Sequence, residues 1–141
     1  MDRFLGSYSP HFYAILRIAA GIMFAMHGSQ KLLGWPGDGA TVPLVSMMGL
    51  AGVIELVSGI LIAVGFLTSW AAFIASGQMA VAFFTAHFPQ DWNPLMNKGE
   101  LAALYCFLFL YIAARGSGIW SVDGATNRNS RYGVNRQHKF V

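Results

Sequence analysis

Four long apolar stretches constrain the fold more than any other feature of this sequence. Each has about the 20 largely apolar residues that a helix needs to cross a bilayer. They run over about 12–33, 43–67, 69–87 and 99–119. Hydrophobic residues make up 55% of the 141-residue chain and charged residues only 11%, against roughly 25% charged residues in a soluble domain. Because a small soluble fold cannot bury so much apolar surface, we predict an integral membrane protein.

The links between these stretches predict how the helices are connected. Only a few residues around Thr68 join the second stretch to the third, so these two helices must form an antiparallel hairpin. The longer links at 34–42 and 88–98 are rich in Gly, Pro, Asn and Asp, as loops are. The four tryptophans fall at the proposed helix ends or in loops, where they suit a membrane interface. We therefore predict one all-α domain over 1–141: a transmembrane four-helix bundle of two antiparallel helical hairpins.

Basic residues predict the orientation of this bundle in the membrane. Four spans place both termini on one side, and the tail at 120–141 carries Arg128, Arg131, Arg136 and Lys139. The long loops hold few basic residues, so the positive-inside rule makes both termini cytoplasmic, in a bacterial inner membrane. We interpret the basic tail as a determinant of topology and a contact for anionic lipid, and not as a nucleic-acid-binding segment.

Ionisable and amide side chains inside or beside the apolar stretches are the candidate functional residues. A central charge in a spanning helix costs about 2.5–3.5 kcal/mol, so such a residue marks a site by default. With a rise of about 1.5 Å per residue, Glu55 lies between His27 and Arg17 in depth, which predicts a buried structural Arg17–Glu55 ion pair. The predicted ligand-binding residues are His27, Lys31, Glu55, Gln78, His87 and Glu100.

Small residues share helix faces with several of these polar groups. Glycine at a helix contact lets two backbones approach closely, so these faces are predicted to pack against other helices and not against lipid. The bundle would then have a polar core, open or nearly open toward the outside. The two stripes are Arg17, Gly21, Gly28 and Lys31 in the first helix and Gly52, Glu55 and Gly59 in the second.

The sequence gives little support to several other chemistries. A single cysteine, Cys106, excludes an internal disulfide, a CxxC redox pair and a cysteine-based zinc site. The histidines and glutamates come from different helices without HxxxH or ExxH spacing, so no metal site is predicted. No glycine-rich phosphate loop follows a strand, and nucleotide binding is therefore not predicted.

One motif in the first helix combines these polar and small residues: Arg17…Gly21…Phe24…His27-Gly28…Lys31-Leu32…Gly34. This motif resembles the opening signature of the DoxX family of small bacterial membrane proteins. Glu55 with Gly59, and Gly99 with Glu100, also resemble the family pattern. The stretch from Gly116 to Asp123 is similar to the family's closing Gly-Pro-Gly-x-x-Ser-x-Asp sequence, with Ser117 where proline is common.

The resemblance implies a four-helix transmembrane fold and a link to redox systems, since the family is named after a subunit associated with a thiosulfate:quinone oxidoreductase. Whether the chain is itself an enzyme stays open, and an accessory or anchor subunit is favoured over a stand-alone enzyme. A quinone is the candidate cofactor, because its carbonyls need one or two donors amid apolar walls, and His27 and Lys31 can supply them. Glu55 completes the predicted pocket. The expected partners are membrane lipids, an oxidoreductase and a second copy of the chain.

Two other functions stay open at this point. A small-molecule or proton-coupled transporter would also need ionisable residues within the membrane, and with only four helices it would need to oligomerise. A non-catalytic scaffold would use its polar core only to fix helix packing, as buried ion pairs can do.

Overall fold

The computed structural model describes residues 4–127, which form helices joined by loops, with no strand among them. Three helices are long and apolar enough to cross a membrane: Gly6–Leu33, Met47–Val64 and Thr68–His87. The predicted all-α fold is therefore confirmed over the described residues, with three candidate membrane-spanning helices. The basic tail residues used to predict orientation lie outside the described residues. The main helices are α1 (Ser9–Leu33), α2 (Met47–Val64), α3 (Thr68–Ala82) and α4 (Glu100–Arg115), with a π-turn (Phe83–His87) that continues α3.

The observed helices α2 and α4 are shorter than the predicted spans because local capping ends them earlier. Ser46 lies before α2, and its Oγ accepts a hydrogen bond of 2.9 Å from the Gly49 amide, which is a typical N-cap. Residues 43–46 are therefore loop. Gly65 and Gly116 end α2 and α4 with φ values of 75° and 81°, which glycine adopts without steric cost. Residues 116–119, predicted as the end of the fourth span, are not helical.

α1 and α2 pack as an antiparallel pair whose backbones touch at glycines. A Cβ atom on Gly21 would lie 2.6 Å from the Ala63 nitrogen, and one on Gly59 would overlap the Ala25 backbone. Toward the other end, a Cβ on Gly28 would overlap the Leu56 backbone. No larger residue fits this contact, so the glycine stripes are the packing faces, as the sequence predicts.

Substitution of Gly28 tests this close contact. We expect Gly28→Ala to destabilise the protein by about 1–3 kcal/mol, the usual cost of overpacking, because the added methyl must push two backbones apart. Gly77→Ala is the matched control, since a Cβ at Gly77 in α3 meets no atom within 4 Å and alanine has the better helix propensity by about 1 kcal/mol. Thermal unfolding in mild detergent compares them, and equal behaviour of the two variants would contradict the packing argument.

α1 meets α4 mainly through aromatic rings. Phe24 in α1 contacts Phe109 and Tyr105 in α4, with ring centroids 4.6 Å and 5.6 Å apart. Tyr105 and Phe109 stack on each other at 5.2 Å, and all three residues are buried. Such ring pairs contribute about 0.5–1.5 kcal/mol beyond their buried area. Two rings of this cluster, Phe24 and Tyr105, line the cavity described below.

The segment after α4 folds back onto the turn between α2 and α3. The Asp123 amide donates to the Gly65 carbonyl at 2.9 Å. In return, the Asp123 carboxylate accepts from the amides of Leu67 and Thr68 at 3.1 Å and 3.2 Å. These are among the first amides of α3, which have no partner within the helix, and a carboxylate there also suits the helix dipole. Asp123 therefore caps α3 from the far end of the described chain.

Candidate functional site: a polar cavity between the helices

A cavity of about 300 Å³ lies between the four helices, at the end where the two long loops begin. Its walls are mostly apolar, with a few charged and hydrogen-bonding side chains among them. This combination is typical of small-molecule sites, and the volume is at the lower end of their range. The walls are formed by Phe24, His27, Lys31, Met48, Glu55, Met79, Ala82, Ala86, His87, Lys98, Leu101, Ala102 and Tyr105.

A buried carboxylate with two partners lies at the centre of the polar wall. Glu55 is 1% exposed, and its Oε1 is 2.6 Å from Lys31 Nζ. The same oxygen accepts a hydrogen bond of 3.1 Å from the Gln78 amide nitrogen. Residues from α1, α2 and α3 therefore meet at one carboxylate oxygen. A buried charge is costly without compensation, and the contacts with Lys31 and Gln78 supply that compensation for Glu55.

The structure does not form the Arg17–Glu55 pair that depth arithmetic predicts. The predicted depth of Glu55 takes Pro43 as the start of the second helix. Because α2 begins at Met47, Glu55 lies only about 12 Å into the helix by its rise. The glycine register then sets Arg17 beside Ala63, at the opposite end of α2 from the Lys31–Glu55 pair. Lys31 takes the place that was assigned to Arg17.

Arg17 instead holds the other end of the molecule together. Its side chain is fully buried, and Nη1 donates to the carbonyls of Ile62 and Ala63 at 2.5 Å and 2.7 Å. Nη2 donates to the Trp120 carbonyl at 2.7 Å. The first two carbonyls are in the last turn of α2, where Ala63 has no helical partner and Ile62 also accepts from the Gly65 amide at 3.2 Å. Arg17 thus caps α2 and anchors the segment that carries Asp123.

Two buried polar atoms of the cavity wall lack a hydrogen-bond partner among the described residues. They are Glu55 Oε2 and the Tyr105 hydroxyl. A buried polar atom without a partner costs about 1–3 kcal/mol, and nearly all such atoms in native proteins are satisfied. Both atoms are almost inaccessible themselves but belong to residues that line the cavity, so a small side-chain adjustment would let a ligand or water in the cavity satisfy them.

The π-turn brings His87 to the wall of the cavity. The turn is closed by the Phe88 amide, which donates to the Phe83 carbonyl at 2.8 Å, and π-turns of this kind often occur at functional sites. His87 Nδ1 lies 3.0 Å from the Asn97 carbonyl. Since a carbonyl oxygen only accepts, Nδ1 must carry the proton, and Nε2 of the neutral ring is then an acceptor.

Asn97 fixes the loop that supports His87. It is 2% exposed, and its side-chain amide donates to the Asp91 carbonyl at 2.7 Å while its Oδ1 accepts from the Gly99 amide at 2.7 Å. A Cβ on Gly99 would lie 2.8 Å from the His87 Cβ. The loop and the π-turn therefore pack tightly together, and sequence reasoning did not identify the role of Asn97.

The structure brings together five of the six predicted ligand-binding residues. His27, Lys31, Glu55 and His87 line the cavity, and Gln78 reaches it through its bond to Glu55. His27 is exposed at the rim, with its ring edge-on to Tyr105 at 6.4 Å. Glu100 does not line the cavity and is exposed in the first turn of α4. Within residues 4–127, no three His, Cys, Asp or Glu side chains gather as metal ligands.

Sequence reasoning missed Lys98 and Tyr105, which also line the cavity. Lys98 is in a loop beside the fourth apolar stretch, where an exposed lysine is ordinary. Tyr105 carried a signal that was not used: a tyrosine inside an apolar helix has a hydroxyl that needs a partner when buried.

Fold and site together define an all-helical membrane protein with a small polar cavity among its helices. The chain belongs to the DoxX family, whose model matches residues 12–88, so the predicted family is confirmed. An uncharacterized protein of Haemophilus influenzae is 43% identical over 127 residues, which cover 84% of this chain and 93% of that protein. No solved structure matches the chain.

Proposed function

We propose that this protein is a subunit of the bacterial inner membrane that binds a small amphipathic molecule of the quinone class and serves an oxidoreductase partner. The observation that carries the proposal is the buried Glu55 carboxylate, which has one oxygen without a partner in residues 4–127 and lines an apolar cavity. A scaffold needs no cavity beside its buried charge. The family resemblance supports the redox link. The rings of Phe24 and Tyr105 in the cavity wall suit a flat ligand ring.

We also propose that α4 crosses the membrane as a fourth span with both termini in the cytoplasm. α4 has 16 residues, about 24 Å by its rise, which approaches the roughly 30 Å of the hydrocarbon core. The cavity would then open near the outer surface. Lys31, His87 and Lys98 support this depth, because they stand at the helix ends and in the loop on that side.

The role within the complex would be to bind and orient the ligand. The cavity offers hydrogen-bonding and charged groups, and the one thiol, Cys106, is not among its lining residues. Electron transfer would therefore belong to the partner oxidoreductase, with this subunit holding the amphipathic molecule that exchanges electrons with it.

Mass spectrometry of organic extracts tests the proposal. Wild-type protein purified in mild detergent is expected to carry a quinone-class molecule that is lost from Glu55→Gln, because the buried carboxylate is part of its site. Glu100→Gln is the matched control, since Glu100 is exposed and does not line the cavity, and it should retain the molecule. Thermal unfolding checks that all three proteins are folded.

The other outcome has an equally definite meaning. Folded wild-type protein that carries bulk lipid alone, and binds no added quinone or hydroquinone, contradicts the proposal and favours a scaffold. Uptake of such a molecule into proteoliposomes, abolished by Glu55→Gln, would instead favour the transporter.

A further inference from the structure

The hydrogen-bonding state of the cavity points to a narrower ligand class. We infer that the site selects ligands that donate hydrogen bonds, namely phenols and hydroquinones, over quinones, which only accept. This inference rests on the proposed function, because it concerns the same cavity. It also reverses the sequence prediction that His27 and Lys31 donate to quinone carbonyls.

The unmet need in the cavity is for a donor near Glu55. Oε1 already accepts from Lys31 and Gln78, whereas Oε2 has no partner among residues 4–127. An ionised carboxylate can only accept hydrogen bonds. A quinone carbonyl beside Oε2 would place two acceptors together and leave both unpaired, while a hydroxyl group would satisfy the carboxylate with a charge-assisted bond.

His87, in the π-turn, adds a second acceptor to the cavity wall. Its Nδ1 donates to the Asn97 carbonyl at 3.0 Å, which leaves Nε2 as the acceptor of the neutral ring. The buried Tyr105 hydroxyl can act in either sense and does not oppose this preference. Two acceptors from separate elements, α2 and the π-turn, match a ring that bears two hydroxyl groups.

The hydrogen-bond donors that line the cavity depend less on a ligand than Glu55 Oε2 does, because they are partly or fully exposed to water. Lys31 is 24% exposed, and its remaining N–H bonds can reach water while one is held by Glu55. Lys98 is exposed, as is His27 at the rim. A solvated donor loses little when no ligand is present, whereas the buried Glu55 oxygen carries the full cost of its missing partner. The balance therefore favours a donating ligand.

The size and the walls of the cavity suit a single ring. A volume of about 300 Å³ holds one head group, with any alkyl chain outside among lipid tails. Phe24 and Tyr105 provide aromatic walls, and Met79 and Leu101 provide apolar contacts. A hydroquinone or an alkyl phenol combines such a flat apolar body with the hydroxyl that Glu55 needs.

Binding of matched ligands to the full-length protein in lipid nanodiscs tests the inference. The probes are a decyl-substituted benzoquinone, its hydroquinone kept reduced under anaerobic conditions, and the dimethyl ether of that hydroquinone, which has the same ring without donors. We expect the hydroquinone to bind about tenfold more tightly than the other two, which corresponds to about 1.4 kcal/mol. In Glu55→Gln this preference should vanish, because the substitution removes the acceptor that binds the hydroxyl and should weaken hydroquinone binding by about tenfold.

The results distinguish the preference for donating ligands from the existence of the binding site itself. Preference for the hydroquinone that is lost in folded Glu55→Gln supports the inference, and a purely structural role of Glu55 would not alter ligand preference. Equal binding of all three probes, or tighter binding of the quinone, overturns the inference and leaves the cavity as a binding site. Failure of every probe to bind folded wild-type protein overturns the proposed function as well.

Discussion

Arg17→Met is expected to lower the free energy of unfolding by about 3 kcal/mol or more. The guanidinium makes three hydrogen bonds of 2.5–2.7 Å to the carbonyls of Ile62, Ala63 and Trp120, and a hydrogen bond to a charged group contributes roughly 1.5–3 kcal/mol. Methionine fills similar space without any donor, so the carbonyls of Ala63 and Trp120 would lose this donor and that of Ile62 would keep only the Gly65 amide. Thermal unfolding in mild detergent measures the loss.

Hydrogen exchange shows whether the same change releases the C-terminal segment. In Arg17→Met, the amide of Asp123, which bonds to the Gly65 carbonyl, should exchange faster, together with the α3 amides that Asp123 caps. Arg115→Met is the control, because Arg115 is exposed and only stacks over the Tyr13 ring at 4.5 Å. An Arg17 variant as stable as this control, with the segment still protected, would show that the anchor has no energetic role.

The sequence predicts the helices well because their signal is local. Apolar runs of about 20 residues, the glycine stripes and the capping residues act within a few turns, and they place α1, α2 and α3 within several residues of their observed ends. The errors lie where capping overrides composition. Ser46 delays α2, and Gly116 stops α4, although the apolar composition continues past both.

The contacts of the candidate site are less predictable, because they depend on helix register. Arg17 and Lys31 are 14 residues apart in α1, about 21 Å by the helix rise, and the register set by the glycine contacts decides which of them meets Glu55. The π-turn at Phe83–His87 has no sequence signature, yet it sets the position of His87. Gln78 and His27 were identified because polar residues in apolar helices stand out. Tyr105 and Asn97 do not stand out, since their roles come from burial.

The α1–α2 pair has one buried ionisable residue toward each end, Arg17 and Glu55, and the surroundings of the two residues differ. At one end, Arg17 has carbonyl partners for both of its Nη atoms, though none among the described residues for its buried Nε, and it links three parts of the chain. At the other end, Glu55 has one oxygen paired and one without a partner in the described part of the chain, beside a cavity. The first arrangement suits a structural role and the second a binding role. The stretch from Gly116 to Asp123, which resembles the family's closing sequence, makes its contacts at the Arg17 end.

Removal of Lys31 is expected to destabilise the protein much more than removal of the charge of its partner Glu55. Lys31→Met leaves the 1% exposed carboxylate without its cation, and breaking a buried pair in this way costs about 3–5 kcal/mol. Glu55→Gln is expected to cost only about 1 kcal/mol, since Lys31 is partly exposed and can extend its ammonium group to water. Thermal unfolding of both variants in the same detergent gives the comparison.

The double variant Lys31→Met/Glu55→Gln completes the cycle. Its cost should be well below the sum of the two single costs, because no unpaired charge is left and the Gln78 amide still has an oxygen to bond; the coupling should be about 2 kcal/mol or more, within the range for residues in contact. Lys98→Met, at another lysine of the cavity wall that is exposed, should change stability by less than about 0.5 kcal/mol. Additive costs, or a milder effect for Lys31→Met than for Glu55→Gln, would mean that Glu55 does not depend on Lys31 for its burial. The carboxylate would then be solvated through the cavity, and Oε2 would not need a hydrogen bond from a ligand.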